Sequence, residues 1–172
     1  MISVMVRSTV RGRVNDGTIR RRAARLLELL GKDEADLAII LTDDAEIQEL
    51  NAQWRQIDAP TDVLSFPQQE GEDFPVIPGF TPPLGDIVIS LEKAARQVSE
   101  DGCLARLWPV VGGSEGQAPA EWSLLDETTF LLLHGVLHLL GHDHMQPEEA
   151  AVMEAKEAEL LPGLLNRTRR KG

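Results

Sequence analysis

Residues 2–10 alternate apolar and polar side chains, the period of a strand with one buried face. The turn Asn15-Asp16-Gly17 offers an N-cap. Behind it Ile19, Ala23, Leu26, Leu27 and Leu30 fall on one helical face until Gly31 stops the pattern. Asp36 to Thr42 is a short, mostly apolar run and reads as a buried strand. Thr42, Asp43 and Asp44 then offer a second N-cap, followed by Ile47, Leu50 and Trp54 at helical spacing. Asp58 to Asp62 is turn chemistry, and Val63 to Phe66 a brief strand ended by Pro67. After a loop over 68–83 rich in Gly, Pro and acids, Leu84 to Ser90 predicts a strand and Leu91 to Val98 a short helix.

Between 101 and 121 the periodicity disappears: Gly102, Pro109, Gly112, Gly113, Gly116 and Pro119 cluster there, which predicts a surface-loop insertion over 102–121. From about Asp126 a helix carries Phe130, Leu133, Leu137 and Leu140 and ends at Gly141. Pro147 suits the first turn of a last helix bearing Val152, Ala155 and Leu160. Four short strands and about five helices alternate irregularly. The expected fold is α+β: a single domain over 1–172 with a mixed, roughly four-stranded sheet, and with 165–172 as a flexible basic tail.

Composition narrows the function classes. No segment approaches the roughly 18 apolar residues of a membrane span, and the N-terminus lacks the apolar stretch of a signal peptide. The one cysteine, Cys103, cannot form an internal disulfide, so a cytoplasmic protein with no membrane partner is expected. The net charge of −11 argues at first against a nucleic-acid partner. Its distribution softens that objection. Residues 1–32 hold eight Lys and Arg against Asp16 and Glu28, residues 33–160 are strongly acidic, and Arg167, Arg169, Arg170 and Lys171 make the tail basic. The basic ends could meet RNA or a ribosomal surface, or simply be solvated.

The chemistry concentrates in eleven residues that hold all four histidines, His134-Gly-Val-Leu-His138-Leu-Leu-Gly-His142-Asp-His144. Positions four apart share a helix face, so His134 and His138 can present their imidazoles together. Gly141 can take positive φ, end the helix and turn the chain so that His144 returns to the same point. Three imidazoles with an open fourth position are a common arrangement for catalytic zinc, one ion per chain. Asp143 could accept a hydrogen bond from a liganding ring or cap the turn, and His142 could be a substitute ligand or line the site. The same spacing occurs in zinc peptidases whose glutamate general base follows the first histidine; here that position is Gly135, which cannot carry a proton.

A second constellation surrounds Arg55, the one basic residue between Lys32 and Lys93. It could pair with Asp58 or Asp62, or clamp a scissile phosphate with its planar fork. Asn51, then Trp54-Arg55, then Pro60-Thr-Asp-Val-Leu-Ser-Phe-Pro67 resembles the pattern of the YbeY family. Leu84-Gly85-Asp86-Ile87 resembles that family's Gly-Asp strand, and His134 to His144 its His-Gly-x-Leu-His-Leu-x-Gly-x-Asp-His signature. The match runs in order over nearly the whole chain. It implies a bacterial single-strand-specific endoribonuclease linked to 16S rRNA 3′-end maturation and ribosome quality control. Its partners would be rRNA precursors and the small ribosomal subunit or its proteins. It also implies zinc on His134, His138 and His144, Arg55 as the functional arginine, and Asp86 at an acidic position near the cleft. Two departures stand out: His142 occupies a place where the family often has Tyr, and the 102–121 insertion is longer than the usual connection.

The combined expectation is a metal-dependent hydrolase acting on RNA phosphodiester bonds. Attack by water and attack by a 2′-hydroxyl both remain open, as do Asp143, His142 or a water as the general acid. A zinc metallopeptidase is disfavoured by Gly135. A non-catalytic ribosome-assembly factor with structural zinc would need a fourth protein ligand. Cys103 lies far off in the insertion, so His142, Asp143 or a distant carboxylate would have to serve.

Overall fold

The computed structural model of the chain describes residues 1–68, 77–80, 83–100, 122–143 and 145–165. The 102–121 insertion, the tail beyond 165 and His144 lie outside the described residues. Strands β1 (Ile2–Val6), β2 (Leu37–Thr42), β3 (Val63–Pro67) and β4 (Gly85–Ser90) form one mixed sheet in the order β1-β2-β4-β3. β1, β2 and β4 are parallel; β3 runs antiparallel on β4. Among the described residues five α-helices accompany the sheet: α1 (Asp16–Leu29), α2 (Asp44–Arg55), α3 (Leu91–Ser99), α4 (Leu124–Leu139) and α5 (Pro147–Leu165).

Alternation along the strands divides the core. Leu37, Ile39, Leu41, Ile87 and Ile89 face the main core, built with Ile19, Leu26 and Leu27 of α1, Leu132, Leu133, Val136 and Leu137 of α4, and Leu161 of α5. Val88 and Leu64 face the other way onto Ile47 of α2, with Ile40, Leu50 and Phe66 partly buried beside them. α4 is therefore sandwiched between sheet and helices, and eleven of its residues are buried. That explains its weak sequence periodicity: a helix apolar on most sides is an interior helix.

The caps follow local chemistry. Asn15 accepts the Thr18 N–H at 2.9 Å and Asp43 the Glu46 N–H at 2.9 Å. The Glu46 N–H and the Thr9 hydroxyl hold Asp43 below the usual carboxylate pKa. α4 begins two residues earlier than its apolar pattern indicates. Ser123 and Asp126 form a reciprocal capping box, Ser123 Oγ taking the Asp126 N–H and the Asp126 carboxylate taking the Ser123 N–H.

Two expectations are corrected, and one arginine of the basic N-terminal block turns out to be structural. The first strand stops at Val6, and Ser8–Val10 forms a 3₁₀ turn that swings Val10 into the core. Trp54 does not share the buried face of α2, nor Val152 that of α5; both are exposed. Arg22 is no surface charge: its side chain, 13% exposed, donates to Asp126, Thr129 and the Leu165 carbonyl and so joins α1, α4 and α5. Among the described residues no helix is long and apolar enough to cross a membrane.

Candidate metal centre and the adjoining cleft

His134 and His138 stand one turn apart near the C-terminal end of α4, and their Nε2 atoms are 3.1 Å apart. Two nitrogens bound tetrahedrally to one zinc at about 2.0–2.1 Å would lie about 3.3 Å apart, so this donor pair fits a shared ion with almost no adjustment. The rings meet at 75° with centroids 4.7 Å apart.

The His134 ring is oriented from behind. Its Nδ1 lies 2.9 Å from Oε1 of Glu157, whose side chain is 1% exposed. In the tautomer that donates Nδ1–H to this oxygen, the Nε2 lone pair is left for a metal. Glu157 was not singled out from the sequence. The clue was its place among the buried residues Met153, Leu160, Leu161 and Leu164 of α5, where an unpaired acid would be costly. Glu157→Gln is expected to keep the fold and weaken zinc binding by about 10- to 100-fold, measured by competition with a chelator. Unchanged affinity would make the contact incidental.

Past His138 the helix closes in a Schellman motif. Gly141 takes φ 92°, its N–H donating to the His138 carbonyl while the His142 N–H reaches the Leu137 carbonyl. The motif ends the helix just past His138, and His142 and Asp143 line the same cleft as the two histidine rings of α4. Among the described residues no three His, Cys, Asp or Glu side chains gather as a metal cluster. Asp143 Oδ1 accepts the Met145 N–H at 3.3 Å, as a turn cap does.

Gly135 has a steric reason. A Cβ there would lie 3.1 Å from both Ile87 Cγ2 and Ser65 Oγ, because α4 crosses β3 and β4 at this point. Ser65 Oγ also donates to the Gly135 carbonyl at 3.0 Å. The position that holds the general base in zinc peptidases of this spacing is here used for helix–sheet contact. Gly135→Ala would gain about 1 kcal/mol in helix propensity but lose about 1–3 kcal/mol to overpacking, a net destabilisation of about 1 kcal/mol. Chemical denaturation measures it, and a variant more stable than wild type would show that the contact relaxes freely.

The histidines open into a cleft of about 720 Å³ also lined by Arg55, Asp62, Ser65, His142 and Asp143. Arg55, the last residue of α2, belongs to this lining as well. Gln56 follows it at φ 58°, turning the chain sharply, and buried Asn51 holds the returning loop by donating to the Ala59 carbonyl at 2.9 Å. The carboxylates that sequence proximity offered to Arg55 are engaged otherwise. Asp58 accepts from Gln48, and Asp62 from the Val63 N–H and Gln97. Among the described residues Arg55 makes no ion pair. Asp86 does not line this cleft. Its side chain enters a neighbouring one, which Arg55 also borders.

The family model for endoribonuclease YbeY matches residues 9–108 and 114–164. The chain is 44% identical over 155 residues to the endoribonuclease YbeY of Pelotomaculum thermopropionicum, covering 89% of this chain and 88% of the relative. It is 43% identical over 156 residues to that of Anaeromyxobacter dehalogenans, covering 90% of this chain and 68% of the relative. The solution structure of a Thermotoga maritima protein shares the fold, with a TM-score of 0.54 at 24% identity over 95% of this chain and 89% of the other.

Proposed function

This chain belongs to the endoribonuclease YbeY family, and we propose that it is a zinc-dependent, single-strand-specific endoribonuclease. We place its action in 16S rRNA 3′-end maturation and ribosome quality control, in the cytoplasm and in contact with the small ribosomal subunit or its proteins. The observation that carries the zinc reading is the convergent Nε2 pair of His134 and His138, with Glu157 behind the first ring. His144 is the proposed third ligand, three residues beyond the Gly141 turn. Zinc bound there would supply Lewis acidity to a phosphate oxygen and to an attacking or leaving oxygen.

The chain's own groups divide the remaining work. Arg55 lines the same cleft as the histidines and can hold a phosphate by two parallel N–H bonds, meeting charge that grows on the non-bridging oxygens. Asp62 is held by Val63 and Gln97, so it shapes the wall and leaves Arg55 to the substrate. His142 and Asp143 also line the cleft, where either can hand a proton to the leaving oxygen.

Gly135 separates this reading from a peptidase. An amine leaves badly unless protonated, and without the carboxylate shuttle peptide hydrolysis forfeits a factor of about 10² to 10⁴. An RNA 2′-hydroxyl is a nucleophile already built into its substrate. The purified protein is therefore expected to cut single-stranded RNA, to act little on duplex RNA, and to leave casein intact at the same enzyme concentration. Peptide cleavage with RNA untouched would overturn the reading.

A further inference from the structure

On the α2 side of the sheet lies a second cleft of about 920 Å³, which shares Arg55, Ser65 and Pro67 with the histidine cleft. Its wall carries Trp54, 60% exposed, whose ring meets Phe66 edge-on at 6.3 Å. Phe66 and Asp86 are direct partners across β3 and β4, so they project side by side from one sheet face. Trp54, Phe66 and Asp86 thus form a row that begins one residue from Arg55.

The charge of this cleft favours a neutral occupant over an anionic one. Arg7 is committed to Glu46, its Nε lying 3.1 Å from both carboxylate oxygens. The carboxylates of Glu49 and Asp86 also line the walls, against Arg55 at the border. Past Arg55 a phosphate would meet no uncommitted cation among these residues, whereas a neutral base needs none. An aromatic face offers such a base stacking, and carboxylates, which only accept, favour a base edge bearing N–H groups.

We propose that this cleft is the subsite for the nucleobase adjoining the scissile phosphate. The phosphate sits at Arg55, the base stacks on Trp54, and its N–H edge turns toward Asp86. The inference rests on the nuclease reading and gives it a physical basis for strand selectivity. A base inside a duplex has both faces stacked and its pairing edge occupied, so it cannot enter.

Short single-stranded RNA added to the full chain in the presence of chelator should quench tryptophan fluorescence. Trp54→Ala should lose the quench and bind about 10-fold more weakly, in the range measured for base–aromatic stacks. Trp54→Phe, which keeps a π-face, should retain affinity within a few-fold while losing the quench. With active enzyme, Trp54→Ala should raise KM far more than it lowers kcat, with an unchanged melting temperature. Asp86→Asn should level any preference for guanosine over uridine beside the cut, and an unaltered preference would overturn the placement of the base edge. If Trp54→Ala cleaves and binds RNA as wild type does, the subsite is refuted while the nuclease reading stands. That holds equally if Trp54→Ala instead loses only a ribosomal protein. If wild type neither binds nor cuts RNA, both readings fall together.

Discussion

Arg55→Glu is expected to reduce RNA cleavage by at least about 10³-fold while leaving zinc content and folding near wild type. Removing a single donor to a developing oxyanion costs about 10² to 10³ in rate, and a reversed charge adds repulsion of the phosphate. The stability cost should be small. Arg55 is exposed and makes no ion pair among the described residues; what it gives the fold is a cation at the C-terminal turn of α2, worth about 0.3–1 kcal/mol. Arg55→Lys should rescue only partly, because an ammonium group lacks the two-pronged fork. Cleavage rates, metal content and a melting curve on the same preparations decide it. If Arg55→Glu unfolds or sheds its metal, Arg55 is a structural residue and its place in the reaction is lost.

His138→Ala is expected to lose tight zinc binding and RNA cleavage together. Its Nε2 is half of the only convergent nitrogen pair among the described histidines, and an alanine offers no donor in its place. Loss of the several kcal/mol that a metal lends to charge development would lower the rate on the order of 10³-fold or more. The fold should survive. His138 is only partly buried at the end of α4, whereas the core contacts of that helix lie at Leu132, Leu133, Val136 and Leu137. An assembly factor with purely structural zinc behaves differently, since removing a ligand would then melt the domain.

Much of this arrangement was legible along the chain because it is local. The Asn15 and Asp43 caps, the Gly31 and Gly141 stops and the His134–His138 spacing each rest on contacts within a few residues. What escaped depends on long-range packing. Glu157 meets His134 across 23 positions of sequence, and Arg22 meets Asp126 across 104. In the run Arg20-Arg21-Arg22 the spacing from Ile19 and Leu26 puts Arg22 on the inner side of α1, but the partners that let a charge stay there, Asp126, Thr129 and the Leu165 carbonyl, appear only once the helices are packed. Gly135 was legible as a missing base, but its cause, the approach of α4 to Ser65 and Ile87, required the helix to be docked on the sheet. Asp86 likewise follows from sheet parity: Ile87 and Ile89 face the main core, so Asp86 and Val88 face α2.

The central claim is tested most directly by measuring zinc content and single-stranded RNA cleavage on one purified sample, before chelation, after it, and after zinc is restored, with His138→Ala in parallel. The account predicts one zinc per chain, cleavage that disappears and returns with the metal, and a variant that is folded, metal-poor and inactive throughout. Undiminished RNA cleavage by the metal-free protein, or by His138→Ala, would contradict it.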